Sequence, residues 1–432
     1  MNSNSIHREI LALSIPSIIA NITTPLLGIV DVAIVGNMGS AVYIAAIAIG
    51  STIFNILYWP FAFLRMGSSG MTAQAYGAND NRQCSLVLYR SLAVAMIVGI
   101  TIIVLQYAIS QCAFYFMGAT NDTLRFSKQY FSVCIWGAPA MLSSFALSGW
   151  FIGMQNSRAT MWISIFINLL NITTSVVLVY IFDWGIIGVA TGTLVAQWGG
   201  FLLGLLIIKQ KYRLATVSLT DILHKAELKR FFSINTDIFL RTLCLVAVTM
   251  WFTRAGAKQS DVILAVNTLL MQLFMLFSYF MDGFAYAGEA MVGKYIGAKD
   301  NLKLKSSINA LFQWGLGMAL LFTMIYLLGG KSFLSLLSSD SMVINASASY
   351  FYWAVAIPLC GFMAFTWDGI FIGATRTRAM LVSMATAMVI FFTIHFALFP
   401  LIGNHALWLA FISYLIIRGF VLNIFYCKKP LL

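Results

Sequence analysis

The stretch Tyr76-Gly77-Ala78-Asn79-Asp80-Asn81 returns in the second half of the chain as Ile296-Gly297-Ala298-Lys299-Asp300-Asn301. A second block, Phe151-Ile152-Gly153 with Arg158-Ala159, returns as Phe371-Ile372-Gly373 with Arg378-Ala379. Both blocks are displaced by the same number of positions, the one that takes Gly77 to Gly297, and we call this displacement the repeat offset. Self-similarity over this length indicates a duplicated structural unit. The sequence therefore predicts two similar halves.

The composition places both halves in a membrane. The chain is 60% hydrophobic and only 9% charged, with a mean hydropathy of +0.88, whereas about a quarter of the residues of a soluble domain are charged. A helix needs about 20 apolar residues to cross a bilayer. We predict an all-α integral membrane protein with twelve transmembrane helices in two parallel-repeat six-helix bundles, whose spans begin near Leu11, Ala41, Ser91, Gln129, Met161, Gly185, Phe231, Val262, Ala310, Tyr350, Met380 and Ala406.

The basic residues predict the orientation. An even number of spans per half gives both halves the same orientation, with their pseudo-two-fold axis along the membrane normal. If both termini are cytoplasmic, 19 of the 26 Lys and Arg residues lie in inner segments, five lie in outer segments, and Arg65 and Arg241 lie inside spans. This bias predicts that both termini face the cytoplasm. The net charge of +12 then reflects topology and contact with anionic membrane lipid, and we expect no nucleic-acid partner.

A charged, weakly apolar stretch near the middle divides the chain. We expect an N-lobe over residues 1–209, a cytoplasmic linker over residues 210–228 and a C-lobe over residues 229–432. The amino terminus lacks the pattern of a cleaved signal peptide. The six cysteines are scattered without a C-x-x-C pair and without histidines at metal-ligand spacing, so free thiols, no metal site and no cofactor are expected.

The first span contains an ionisable residue next to a helix-disturbing one. Asp31 follows Pro25 on the same span, and a proline removes a backbone donor and bends a helix. A charged side chain in hydrocarbon is costly, so it marks a functional site by default. Burial disfavours the charged form of such a carboxyl group, while water or a cation favours it. A purely packing carboxylate, held by hydroxyl groups, is the alternative.

The fifth span supplies polar side chains that suit the same site. Asn171 and Ser175 lie one helical turn apart on one face, and with Asp31 they can form a hydrogen-bonded or cation-coordinating site. Such residues also join helices to one another in membranes. That second interpretation is at least as good for Thr173 and Thr174, which are left out of the candidate site.

The second half carries a different polar set. Asp237 and Arg241 have the i, i+4 spacing of an ion pair, and a structural pair is the favoured interpretation. Asp282, Glu289 and Asp368 have no oppositely charged residue at helical spacing, and the residues that correspond to them at the repeat offset are uncharged. The candidate polar or substrate site of the C-lobe comprises Asp237, Arg241, Gln272, Asp282, Glu289 and Asp368.

These features resemble the MATE (multidrug and toxic compound extrusion) transporters along the whole chain. The resemblance rests on the two six-span bundles, Pro25 with Asp31, Asn168-x-x-Asn171, and Tyr-Gly-Ala or Ile-Gly-Ala at the ends of spans two and eight. Four stretches of the second half, residues 235–241, 279–285, 368–376 and 403–410, are similar to the DinF-type branch of that family.

The resemblance implies roles for particular residues. It implicates Asp31 in proton or cation coupling, places Thr193 in the polar cluster of the first lobe, and implies a central cavity between the lobes that takes organic cations and amphiphiles. Many relatives carry an aspartate where this chain has Ser175. The loss of that carboxylate favours a single-carboxylate proton site over a tightly held sodium ion, although hydroxyl and amide oxygens can still coordinate sodium.

The resulting hypothesis is a bacterial inner-membrane antiporter that exports amphiphilic or cationic organic compounds in exchange for protons. The alternatives are a sodium-coupled antiporter of the same fold and a flippase of lipid-linked precursors, which would need a basic cavity. An enzyme is disfavoured because the chain has no convergent nucleophile–base or metal pattern. A passive channel fits poorly with two lobes of unlike polarity. We expect a monomer, because no Gly-x-x-x-Gly face argues for a dimer.

Overall fold

The computed structural model describes residues 3–36, 41–117, 120–337 and 341–431, and within these ranges it contains helices and no strand. Met1 and Leu432, the outer ends of the predicted lobes, lie outside them. The helices are α1 (Ser3–Gly36), α2 (Ala41–Tyr58), α3 (Phe63–Gly77), α4 (Asn81–Val104), α5 (Gln106–Met117), α6 (Asn121–Cys134), α7 (Ala138–Gly153), α8 (Ser157–Val176), α9 (Gly185–Lys211), α10 (Leu219–Ile222), α11 (Lys225–Ala257), α12 (Asp261–Gly297), α13 (Asn301–Leu337), α14 (Ser341–Ser347), α15 (Phe351–Gly373), α16 (Thr377–Ile402) and α17 (Asn404–Lys428).

The helices long and apolar enough to cross a membrane match the predicted spans. Eleven such segments occur among the described residues, and some of them join two helices of the list, as Val42–Gly77 and Asn121–Gly153 do. The 34-residue helix α1 precedes them. Every predicted span begins within, or one residue before, one of these twelve segments.

The chain forms two compact units. The N-unit is Ile15–Phe231, and the C-unit is Phe232–Leu432 together with the residues up to Ser14. The beginning of α1 therefore clusters with the second half of the chain, whereas residues 1–14 were assigned to the first lobe by sequence. The predicted lobes and linker, as functional divisions, stay a prediction.

The internal repeat is visible in single backbone angles. Asn79 and Lys299, which correspond at the repeat offset, are both left-handed, with φ angles of 56° and 55°. Gln155 and Thr375 form a second such pair, with φ angles of 60° and 53°. A left-handed backbone is uncommon for residues other than glycine, so its recurrence at equivalent positions indicates that both halves use the same turns between helices.

Glycines bring two helices of each unit into backbone contact. A Cβ atom at Gly149 of α7 would lie 2.1 Å from the carbonyl oxygen of Arg65, and one at Gly369 of α15 would lie 2.3 Å from that of Ala285. The glycines one turn later repeat this approach, Gly153 against Ser69 and Gly373 against Glu289, at 2.7 Å. These Gly-x-x-x-Gly pairs therefore hold helices together within each unit, as small residues do in membranes.

The linker between α9 and α11 is fastened to α4. The buried guanidinium of Arg90 donates to the backbone carbonyl oxygens of Ile222 at 3.0 Å and Asp221 at 2.7 Å, and Arg82 forms an ion pair with Asp221 at 2.8 Å. Hydrogen bonds from Ser218, and then from Arg82, lower the pKa of Asp221 to about 2. Because the pKa of Asp221 is lowered in the folded protein, its ion pair with Arg82 persists at neutral pH. The pair is lost only as the pH falls through about 2.

The glycine contact yields a test of the fold. Gly149→Leu forces α7 away from α3, and we expect it to destabilise the protein by at least the 1 to 3 kcal/mol or so typical of overpacking. Gly317→Leu is the control, because no atom lies within 4 Å of a Cβ at Gly317. Thermal unfolding in detergent compares the two variants. Equal melting temperatures would contradict the helix contact described above.

Candidate functional site

Asp31 lies buried on α1, and the residues that the structure describes offer it no counter-charge. Its residue surface is 5% exposed. Among the described residues it forms no ion pair, and its Oδ1 atom has no hydrogen-bond partner. A buried acceptor left unbonded costs about 1 to 3 kcal/mol. A proton or another small cation at this carboxylate would remove that cost.

Two neighbouring helices place a polar cluster in the same unit. Asn171 of α8 donates from Nδ2 to Oγ1 of Thr193 on α9 at 3.0 Å, and Asn171 and Ser175 are both completely buried. Gly192 allows the close approach of α9, since a Cβ atom there would lie 2.1 Å from Oγ of Ser175. Asn171, Ser175 and Thr193 thus lie together at the contact between α8 and α9.

Tyr130 of α6 connects this cluster to Asp31. Its phenol group lies near the side chains of Thr193 and Cys134 and within electrostatic range of Asp31. The thiol group of Cys134 also lies within electrostatic range of Asp31. Tyr130 is thus near both Asp31 and Thr193. The four predicted N-lobe residues, Asp31, Asn171, Ser175 and Thr193, therefore share one neighbourhood. Tyr130 and Cys134 were not predicted to be part of it.

The segment of α1 that carries Asp31 is held on both sides. Asn168 of α8 donates to the backbone oxygen of Thr23 at 2.9 Å, and Tyr180, in the π-helical turn after α8, donates to that of Ile34 at 3.1 Å. Pro25 and Asp31 lie between these two anchors. α1 continues as one helix through Pro25, and the bend predicted there stays a prediction.

The cluster offers oxygen atoms to a small cation. Within the described ranges, Asn171 Oδ1 and Ser175 Oγ are buried without a hydrogen-bond partner, as Asp31 Oδ1 is. Hard cations prefer oxygen ligands of this kind, and a carboxylate can instead take a proton. No group of three or more His, Cys, Asp or Glu residues suited to a metal ion occurs among the residues that were placed.

The C-unit contains a buried ionic network centred on Asp368. Its Oδ2 atom accepts hydrogen bonds from Arg241 of α11 and, at 2.6 Å, from Arg418 of α17. All three residues are at most 8% exposed. The Arg418 guanidinium also lies 5.2 Å from the ring centre of Tyr414. Arg418, one of the 19 basic residues that the predicted topology assigns to inner segments, is therefore buried.

The predicted pair of Asp237 with Arg241 is wrong. Asp237 instead accepts a hydrogen bond from Thr377 at 3.1 Å and pairs with Arg378 at 3.4 Å, while Arg241 binds Asp368. The two side chains are one turn apart on α11, and each meets a different neighbouring helix. Spacing along one helix does not reveal such partners.

The remaining C-lobe candidates lie along α12. Glu289 is buried, Asp282 is partly buried, and Asp282 interacts electrostatically with Arg418. Gln272 is exposed and precedes Asp282 by about 15 Å along the helix. The structure thus joins Arg241 and Asp368 through the network with Arg418. Asp282 lies within electrostatic range of Arg418, and Gln272 and Asp237 lie outside the network.

Comparison with known proteins identifies the family. The MatE family model matches residues 16–177 and again residues 237–397, once in each half. The chain is also 36% identical over 409 residues to DNA damage-inducible protein F of Escherichia coli K12, which covers 94% of this chain and 89% of the relative. The chain belongs to the MATE family.

Two further comparisons agree with this membership. The probable multidrug resistance protein NorM of Photorhabdus laumondii is 24% identical over 353 residues, 78% of this chain and 75% of the relative. A solved outward-facing multidrug resistance MATE transporter superposes with a TM-score of 0.88 at 19% identity, over 98% of this chain and 95% of that one. The predicted twelve-helix, two-repeat fold is confirmed, and so is the prediction of a transporter rather than an enzyme.

The first turns of α1 make their own contacts in this MATE protein. Glu9 accepts hydrogen bonds from Lys294 at 2.5 Å and from Tyr295 at 2.7 Å, both at the end of α12. His7 accepts one from the Trp314 indole at 3.1 Å. These contacts lie within the C-unit and explain why the beginning of α1 clusters with it. Sequence reasoning missed them because the partners belong to opposite halves of the sequence.

The ionic network makes a stability prediction. Asp368→Asn leaves two arginines buried side by side, and breaking a buried pair costs about 3 to 5 kcal/mol. Asp237→Asn is the control, because its partner Arg378 is 77% exposed and such pairs contribute at most about 1 kcal/mol. Thermal unfolding in detergent measures both changes.

A second substitution separates charge from packing. Adding Arg418→Met to Asp368→Asn removes one uncompensated charge, so we expect part of the lost stability to return. If Asp368→Asn unfolds at the same temperature as Asp237→Asn, Asp368 does not hold the two arginines as described.

Proposed function

We propose that this MATE protein is a proton-coupled antiporter that exports amphiphilic or cationic organic compounds, with Asp31 as the coupling carboxylate. The observation that carries the proposal is the environment of Asp31, a buried carboxyl group without a cationic partner among the described residues. Asp368, by contrast, is neutralised by two arginines. A group that is already paired resists a change of protonation, and an unpaired one does not.

The proposed cycle follows from the charge of Asp31. A proton that enters from outside neutralises Asp31 and allows the Pro25 segment of α1 to rearrange, which expels the substrate. Loss of the proton toward the cytoplasm restores the charge and resets the helix. A potential of 100 mV supplies about 2.3 kcal/mol per charge, enough for a concentration ratio of several tens at one net charge.

Sodium coupling is the second candidate, because the unpartnered oxygens of Asn171 and Ser175 lie in the same cluster. A flippase of lipid-linked precursors is less well supported. Its pyrophosphate would need accessible basic side chains, whereas Arg241 and Arg418 are buried and bound to Asp368. We further propose the bacterial inner membrane as the location, cytoplasmic termini and a monomer as the working unit.

Transport in reconstituted vesicles tests the coupling. We expect Asp31→Asn to abolish substrate-driven proton movement while the folded protein keeps its melting temperature, because a side-chain amide does not bind and release a proton near neutral pH. Asp31→Glu should retain part of the activity. Asp122→Asn is the control, since it removes an exposed carboxylate from the first turn of α6.

Ion replacement separates the two coupling ions. The proton proposal requires transport of organic cations to follow a pH gradient and to continue when choline replaces sodium. Transport that stops without sodium and persists without a pH gradient would assign coupling to sodium instead. Full antiport by Asp31→Asn would remove Asp31 from the mechanism under either ion.

A further inference from the structure

A cationic pocket lies on the C-unit where α15 ends, α16 begins and α17 ends. Its volume is about 310 Å³, and its lining includes the basic residues Arg376, Arg378 and Lys429. Phe371, Val382 and Phe425 form apolar walls. The pocket therefore combines positive charge with hydrocarbon surface at the end of three membrane-spanning helices.

The charge in this pocket is incompletely balanced. Arg376 donates to the backbone oxygens of Lys429 at 2.5 Å and Pro430 at 2.6 Å, which are neutral acceptors. Neither Arg376 nor Lys429 has an ion pair in the part of the chain that the structure describes, and Arg378 has only Asp237 at 3.4 Å. Burial lowers the pKa of Arg376, a desolvation cost that an anionic ligand would offset.

The apolar walls point to the kind of anion. Val382 and Phe425 are 38% and 37% exposed on helices that cross the bilayer, so acyl chains can lie against them. The predicted orientation places this end of the helices on the cytoplasmic side, where basic pockets between membrane helices bind lipid head groups. We propose that the pocket binds an anionic phospholipid, with the phosphate at Arg378 and Lys429 and an acyl chain along Val382 and Phe425.

The repeat supplies a matched site with different chemistry. At the repeat offset, Arg378 and Lys429 correspond to Arg158 and Lys209, both exposed, while Arg376 corresponds to Asn156. Asn156 donates to the Tyr212 hydroxyl at 2.8 Å. The N-unit thus carries the same two exposed charges with a neutral amide where the C-unit has the third cation.

Lipid counting by native mass spectrometry tests the proposal on the purified full chain in neutral detergent. The probes are cardiolipin, phosphatidylglycerol and phosphatidylcholine. We expect the first two to occupy one site in preference to the third. Arg378→Gln with Lys429→Gln should weaken that binding about thirtyfold, since each basic residue contributes about 1 kcal/mol. Arg158→Gln with Lys209→Gln, which removes the same charge from the N-unit, should leave it unchanged.

A steric variant separates a pocket from a general charge effect. Val382→Trp keeps every basic residue and fills the apolar wall, so we expect it to release the same lipid. Equal losses in the two double variants would show non-specific attraction and overturn the proposal. Displacement of the lipid by millimolar inorganic phosphate, or no effect of Val382→Trp, would also overturn it, because the site would then recognise phosphate without the chain.

Discussion

The cost of placing a carboxylate in hydrocarbon governs both polar sites of this protein. At Asp368 the guanidinium groups of Arg241 and Arg418 offset that cost, because both form ion pairs with its carboxylate. Asp31 is similarly buried and has neighbouring hydroxyl and thiol groups but no cation among the placed residues. The first arrangement fixes charge and supports structure, because removing any member leaves an uncompensated ion. The second leaves the charge state free to change, which is what the proposed coupling role requires.

The repeat shows that the two units share a backbone fold but not their polar sites. At the repeat offset, Asp31, Asn171 and Ser175 correspond to Trp251, Phe391 and His395, which belong to an aromatic cluster in which the ring centres of Trp251 and His395 are 5.9 Å apart. The glycine contacts between α3 and α7 and between α12 and α15 are the same in both units. Since those contacts are made by backbone atoms, the same helix packing can hold either the polar side chains of the N-unit or the aromatic side chains of the C-unit.

The fold was predictable from the sequence because its signals are local or periodic: long apolar runs, a basic bias and a block of sequence that recurs once in register. Asn171 was reached from its helical spacing with Ser175, and Thr193 through family resemblance. What failed required knowledge of which helices touch. Arg418 was counted among the basic residues of the inner segments, yet it is buried and lies about 15 Å before the end of α17 at Lys428. Asp237 and Arg241 have ideal spacing for a pair, but partners on α16 and α15 outcompete it.

Tyr130 carries no charge and has no motif, so only packing reveals its position beside Asp31.

α1 combines the two kinds of interaction on one element. Glu9 is held by Lys294 and Tyr295, and Asp31 follows about six turns later on the same helix. Pro16 and Pro25 lie between them, and each removes one backbone hydrogen bond. A change of charge at Asp31 therefore acts on a helix that is anchored at its start, braced at Thr23 and Ile34, and weakened at two defined points. In the proposed mechanism this helix responds to protonation of Asp31 by bending at a proline, while the contacts of Glu9 stay in place.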